Sequence, residues 1–184
     1  MLTKDMHKKD IEETLEGKGD FVQIDYLNKY LKEMPPLEMR KFASLKLAGI
    51  YLKKEMFIDT AKMFRNVGIN SLTFKDKQNY YLKEAKSYIM ANKFEESDKA
   101  LKRALIEANS REKEEIYSKI IEFYKEVGEK LAEKLKREKS SKIYEKLLRM
   151  KVSDEEKEII KGKLLDLYEK LGKRKEIDFL RSMD

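Results

Sequence analysis

The chain has 184 residues, enough for one domain or one short array, and 42% of them are charged, well above the roughly 25% of an average domain. It has no cysteine and one histidine, His7, which excludes disulfides and thiolate metal sites and leaves no basis for structural zinc or a His-based triad. Its 42 cations against 35 anions give a formal charge of +7, a mild excess that reads first as a solvated, ion-paired helical surface and second as a surface for an anionic partner.

Only two prolines and seven glycines interrupt the chain, so helix is expected nearly throughout. A weak helix is predicted over Thr3–Glu16, then a "GKGD" turn, then a helix to Met34 with Asp20 as N-cap. Phe21, Ile24, Leu27, Tyr30 and Leu31 are its apolar face, and Pro35-Pro36 stops it. Helices follow over Leu37–Lys54 and Phe57–Val67, with "GINSLTFKD" as a loop. Next come Lys77–Ala91, Phe94–Ala108 and Arg111–Val127. After Gly128 the pattern loosens around the polar "KREKSS", which reads either as part of one long helix or as a break near Ser140-Ser141. Ser153 with Glu156 three residues on is a capping box opening a helix over Asp154–Leu171, and a short helix over Arg174–Arg181 ends the series.

Four segments align without gaps, beginning at Leu47, Glu84, Ile120 and Leu164. Each carries a tyrosine at its fifth position: Tyr51, Tyr88, Tyr124 and Tyr168. Four residues on come Glu55, Asn92, Gly128 and Gly172, where the chain is expected to leave the helix and turn. The tyrosines read as buried seams between paired helices rather than as stacking platforms. The whole is read as one all-α domain, 1–184, of helix pairs at about 3–34, 37–68, 77–108, 111–150 and 154–182.

These segments resemble the tetratricopeptide repeat family. Tyr81, Ala85, Tyr88, Asn92, Phe94, Leu101 and Ala104 follow its pattern, with Ser97 where alanine is usual. Leu47, Ala48, Tyr51, Phe57, Phe64 and Val67 follow it too, with Thr60 in the alanine place. In the third segment this register leaves Glu133 and Arg137 at places expected to be small and aromatic. The resemblance implies a right-handed α-solenoid of antiparallel helix pairs whose first helices line a concave groove. By that alignment the groove residues are Phe42, Leu45, Leu52, Lys53, Asn79, Leu82, Lys83, Lys86, Ile89 and Met90.

No phosphate-binding glycine loop, paired-carboxylate motif or nucleophile motif stands out, so no catalytic residue, metal ligand or cofactor is assigned. No apolar run reaches 18 residues and the first twenty lack the apolar centre of a signal peptide, so no membrane partner and a cytoplasmic location are expected. The leading functional reading is a non-enzymatic scaffold that holds a partner's peptide or helix in the groove. A second reading is a nucleic-acid-binding repeat using the basic cluster Lys134, Lys136, Arg137, Lys139 and Lys142, with "KLGKRKE" at Lys170–Glu176 offering the same choice. A third is a homo-oligomer paired through exposed edge helices.

Overall fold

A computed structural model describes residues 2–182, and within them the fold is all-α, with ten helices and no strand. Residues 1, 183 and 184 of the expected single domain lie outside the described residues. The chain divides into two compact units, one of Met1–Ala91 and Glu95–Lys113, the other of Asn92–Phe94 and Glu114–Asp184.

The first unit holds α1 (Lys8–Leu15), α2 (Asp20–Lys32), α3 (Leu37–Lys53), α4 (Phe57–Ile69), α5 (Phe74–Met90) and nearly all of α6 (Phe94–Ile106). Consecutive helices pack: α2 on α3, α3 on α4, α4 on α5. Ile11, Leu15, Leu27, Tyr30, Ala43, Leu47 and Tyr51 form one buried cluster across α1, α2 and α3. Ala61, Ala85, Ala100 and Ala104 are fully buried, and these small side chains let neighbouring backbones approach.

The helix starts refine the sequence reading. α1 begins at Lys8 rather than Thr3. Gly19, not Asp20, is the N-cap of α2; Asp20 lies in the first turn, its carboxylate 2.8 Å from Lys54 Nζ and 3.5 Å from Lys53 Nζ. Gly68 and Ile69 belong to α4, and α5 starts at Phe74 because the Thr73 hydroxyl accepts the Asp76 N–H at 3.0 Å. That short threonine cap is a signal the apolar periodicity overshadowed.

The second unit holds most of α7 (Ser110–Glu133), then α8 (Arg137–Leu148), α9 (Asp154–Leu171) and α10 (Arg174–Arg181). The Ser153–Glu156 capping box at the start of α9 is present as expected. The largest correction falls on α7. It does not turn at Gly128 but runs to Glu133, and the left-handed residue is Leu135 at φ 55°. The other pairs turn at Glu55 (φ 56°), Asn92 (φ 55°) and Gly172 (φ 70°), as the alignment anticipated. The helix after each turn residue begins two residues on, at Phe57, Phe94, Arg137 and Arg174. One hydrogen bond marks the register. The amide after the turn residue donates back to the carbonyl four residues before it: Met56 to Tyr51, Lys136 to Leu131 and Lys173 to Tyr168, at 2.8–2.9 Å. Leu131, not Tyr124, therefore holds the place of Tyr51 and Tyr168.

Re-registering on Leu135 repairs the third pair. Gly128 now holds the place of Ala48 and Ala85, seven residues before the turn. Tyr124 takes that of Tyr81, Ser140 that of Thr60 and Ser97, and Tyr144 that of Phe64 and Leu101. Ser140 and Ser141 do not break a helix: both are fully buried on α8, and the Ser140 hydroxyl donates to the Gly128 carbonyl at 2.8 Å. A Cβ on Gly128 would lie 2.9 Å from the Tyr144 ring, so only glycine permits this approach.

Two substitutions separate the registers. Gly128→Ala is expected to cost about 1–3 kcal/mol by overpacking against Tyr144. Leu135→Gly, at an exposed position whose φ penalises a Cβ, is expected to stabilise by about 0.5–1 kcal/mol. Urea denaturation of both variants checks this; a turn at Gly128 would leave Leu135→Gly in a helix, where it destabilises.

Candidate partner-binding faces

The residues expected to line a groove all lie in the first unit, on α3 and α5. Leu45 and Leu82 hold the same place, ten residues before the turn residues Glu55 and Asn92, and both are half-buried. Leu52 is 44% exposed and Met90 37% exposed. Asn79 and Lys83 are exposed, and the Lys83 ammonium lies over the rings of Phe64 and Tyr80 at 5.8 and 5.3 Å. Lys53 is exposed beside Asp20, and Lys86 is half-buried. Two expected groove residues are committed to packing instead. Ile89 is fully buried, although Leu52, at the equivalent place one residue past Tyr51, is exposed. Phe42 packs against the buried cluster of α1, α2 and α3, with Lys46 Nζ 5.5 Å above its ring. The seam tyrosines Tyr51, Tyr88 and Tyr168 are buried, as their spacing implied, and Tyr124 is buried too, but at the place of Tyr81 rather than at the seam.

The feature that sequence reasoning missed is a buried ion pair in the second helix pair. Glu84 is fully buried on α5, at the place that Leu47, Val127 and Leu164 hold in the other pairs. Arg103 of α6 donates to its Oε1 at 2.5 Å, and the same guanidinium lies 5.6 Å from the Tyr81 ring centroid. Burial pushes the Glu84 carboxyl up from its ordinary value, and Arg103 opposes that shift. Glu84 Oε2 and Arg103 Nε are both buried without a hydrogen-bond partner. The pair is thus held by a single bond, although a side-on guanidinium can make two. A charged residue at one of four equivalent seam places was visible in the alignment; its partner, 19 residues on, was not.

The basic cluster lies in the second unit, around the α7–α8 turn. Lys134, Lys136, Lys139 and Lys142 are exposed and Arg137 is half-buried. Glu138 pairs with Lys142 at 3.8 Å, and more closely with Lys173 at 2.9 Å. Hydrogen bonding from Lys173 holds the Glu138 carboxyl below its ordinary range and raises the Lys173 ammonium. A cavity of about 540 Å³ opens beside it, with Leu148, Leu164, Tyr168 and Leu180 among its walls. There the Tyr168 hydroxyl donates to Glu145 at 2.9 Å, and burial together with that bond holds the phenol well above its ordinary value. Among the described residues no three or more His, Asp or Glu side chains gather as a metal site, and no helix is long and apolar enough to cross a membrane.

No family model, curated protein or solved structure matches the chain.

The buried pair generates a pH-dependent prediction. Arg103→Ala leaves the Glu84 carboxylate buried without its partner and is expected to cost about 3 kcal/mol at pH 7. A carboxyl whose folded-state pKa is raised contributes stability that is present below its unfolded value, near 4.5, and lost as pH rises. The cost of Arg103→Ala relative to wild type should therefore be smaller at pH 4 than at pH 7. Adding Glu84→Leu should restore most of the lost stability. Urea unfolding at the two pH values reads both effects; an equal cost at each pH would mean that the charge of Glu84 is not what Arg103 balances.

Proposed function

We propose that the protein is a non-enzymatic scaffold of tetratricopeptide-like helix pairs, and that it holds a peptide segment or helix of another protein on the outward side of α3 and α5. The observation that carries this reading is the repeated leucine, Leu45 and Leu82, half-exposed at equivalent places of successive pairs. The chain itself buries only part of each leucine, and a partner that follows the array can bury the rest of both. Leu52 and Met90 extend the apolar surface, and methionine's flexible thioether adapts to different side chains. Lys53, Lys83 and Lys86, with Asn79, supply polar contacts at its margin. This is the apolar centre and polar rim of a peptide-recognition surface. Phe42 and Ile89 support it from within rather than by contact.

Within this reading the array is a right-handed α-solenoid, and its regular backbone rather than any reactive group performs the work. A scaffold of this kind needs no cofactor. Selection of peptides from a displayed library against the full chain should yield sequences with two apolar anchors. Leu45→Asp combined with Leu82→Asp should weaken the selected peptides at least tenfold while the far-UV helical signal is kept. Unchanged affinity in the helical double variant would place the peptide elsewhere and refute this surface.

A further inference from the structure

The two basic motifs of the second unit, 35 residues apart in sequence, form one patch. Glu138, in the first turn of α8, bonds Lys173, the residue that opens α10, at 2.9 Å. That contact sets the α7–α8 turn beside the α9–α10 turn. Residues 133–142 and 173–176 together carry eight cations and three carboxylates, a net +5 of the chain's +7. The remaining 170 residues are close to neutral, so the excess charge is not spread over the surface. Glu138 is occupied by Lys142 and Lys173, Glu133 and Glu176 are the two other acidic groups of these segments, and Glu145, bonded by Tyr168, also faces Lys173. Lys134, Lys136, Lys139, Arg174 and Lys175 are exposed and make no ion pair among the described residues. Elsewhere exposed lysines often find a carboxylate, as Lys8 does with Glu38, Lys29 with Asp25 and Lys170 with Asp166.

The positive ends of two helix dipoles lie on the same edge, because α8 and α10 both begin there. Backbone and side chains thus act with one sign. We propose that this edge binds the phosphate backbone of a nucleic acid, without reading its sequence. The patch offers cations at intervals along two turns, which suits a row of phosphates better than a single compact anion. Both turn segments lack an aromatic side chain, and although Phe179, 67% exposed, lines the cavity beside Lys173, one ring makes no row of platforms for successive unstacked bases, which favours a duplex. The site lies in the second unit and the proposed peptide surface in the first, so neither depends on the other.

The test is fluorescence anisotropy of the full chain with labelled RNA and DNA duplexes of about 20 base pairs. Wild-type affinity should fall about a hundredfold between 50 and 200 mM salt, as expected for about four neutralised phosphates. Lys136→Glu with Lys175→Glu, both exposed, should weaken binding at 50 mM salt by about tenfold or more. The control Lys75→Glu with Lys99→Glu changes net charge equally in the first unit and should cost less than about threefold. Absence of binding by wild type at 20 mM salt overturns the proposal, as does equal weakening by patch and control variants. Binding of polyglutamate or of phosphatidylserine vesicles in place of either duplex overturns it as well, and assigns the patch to an acidic protein or a lipid surface.

Discussion

Every helix pair from α3 onward depends on one backbone constraint, a single residue forced into the left-handed region at the end of the first helix. Glu55, Asn92, Leu135 and Gly172 meet it, and in three of the four pairs the amide after the turn caps the carbonyl four residues before it. Once this turn is set, helical geometry fixes the rest. In the first three pairs the place seven residues earlier meets the partner helix and is small, Ala48, Ala85 and Gly128, whereas the last pair has Leu165 there. The place five residues later is small and buried in the same three pairs, Thr60, Ser97 and Ser140, and is Ile177 in the last. Leu135 accepts an unfavourable φ because the packing of Gly128 against Tyr144 leaves no other register.

The same turns decide where chemistry is available. They bring the α8 and α10 starts to one edge and gather most of the chain's excess positive charge there. Inside the second pair, the seam place that is apolar elsewhere holds Glu84, and Arg103, itself partly exposed, reaches in to meet it. A buried pair of this kind adds little net stability, because desolvation offsets the attraction. Displacing α6 so that Arg103 left Glu84 would strand a buried carboxylate.

Most of the helices were legible in the sequence because apolar spacing of three and four residues is a strong signal. The turns at Glu55, Asn92 and Gly172 were legible from the tyrosines four residues before them. The third was not, because Tyr124 imitates a seam tyrosine and Gly128 imitates a turn glycine. Two glycines with opposite roles, a close approach at Gly128 and a left-handed turn at Gly172, look identical in one sequence. Whether Ser140 and Ser141 lay within a helix or at a break stayed open in the sequence for a related reason. Composition records the hydroxyl, while burial depends on a carbonyl partner that only the fold supplies. Of the expected groove, Leu45 and Leu82 were placed by the tetratricopeptide resemblance, and both are half-buried. The burial of Ile89 was not legible, because it depends on how α5 is rotated against its neighbours.

The register of the third pair is tested most directly by backbone chemical shifts of residues 124–140 in solution. This account predicts helical Cα and Cβ shifts without interruption through Gly128 to Glu133, a left-handed signature at Leu135 and helix again from Arg137. Loss of the helical signature at Val127, with a left-handed Gly128 and a helical Leu135, would contradict it.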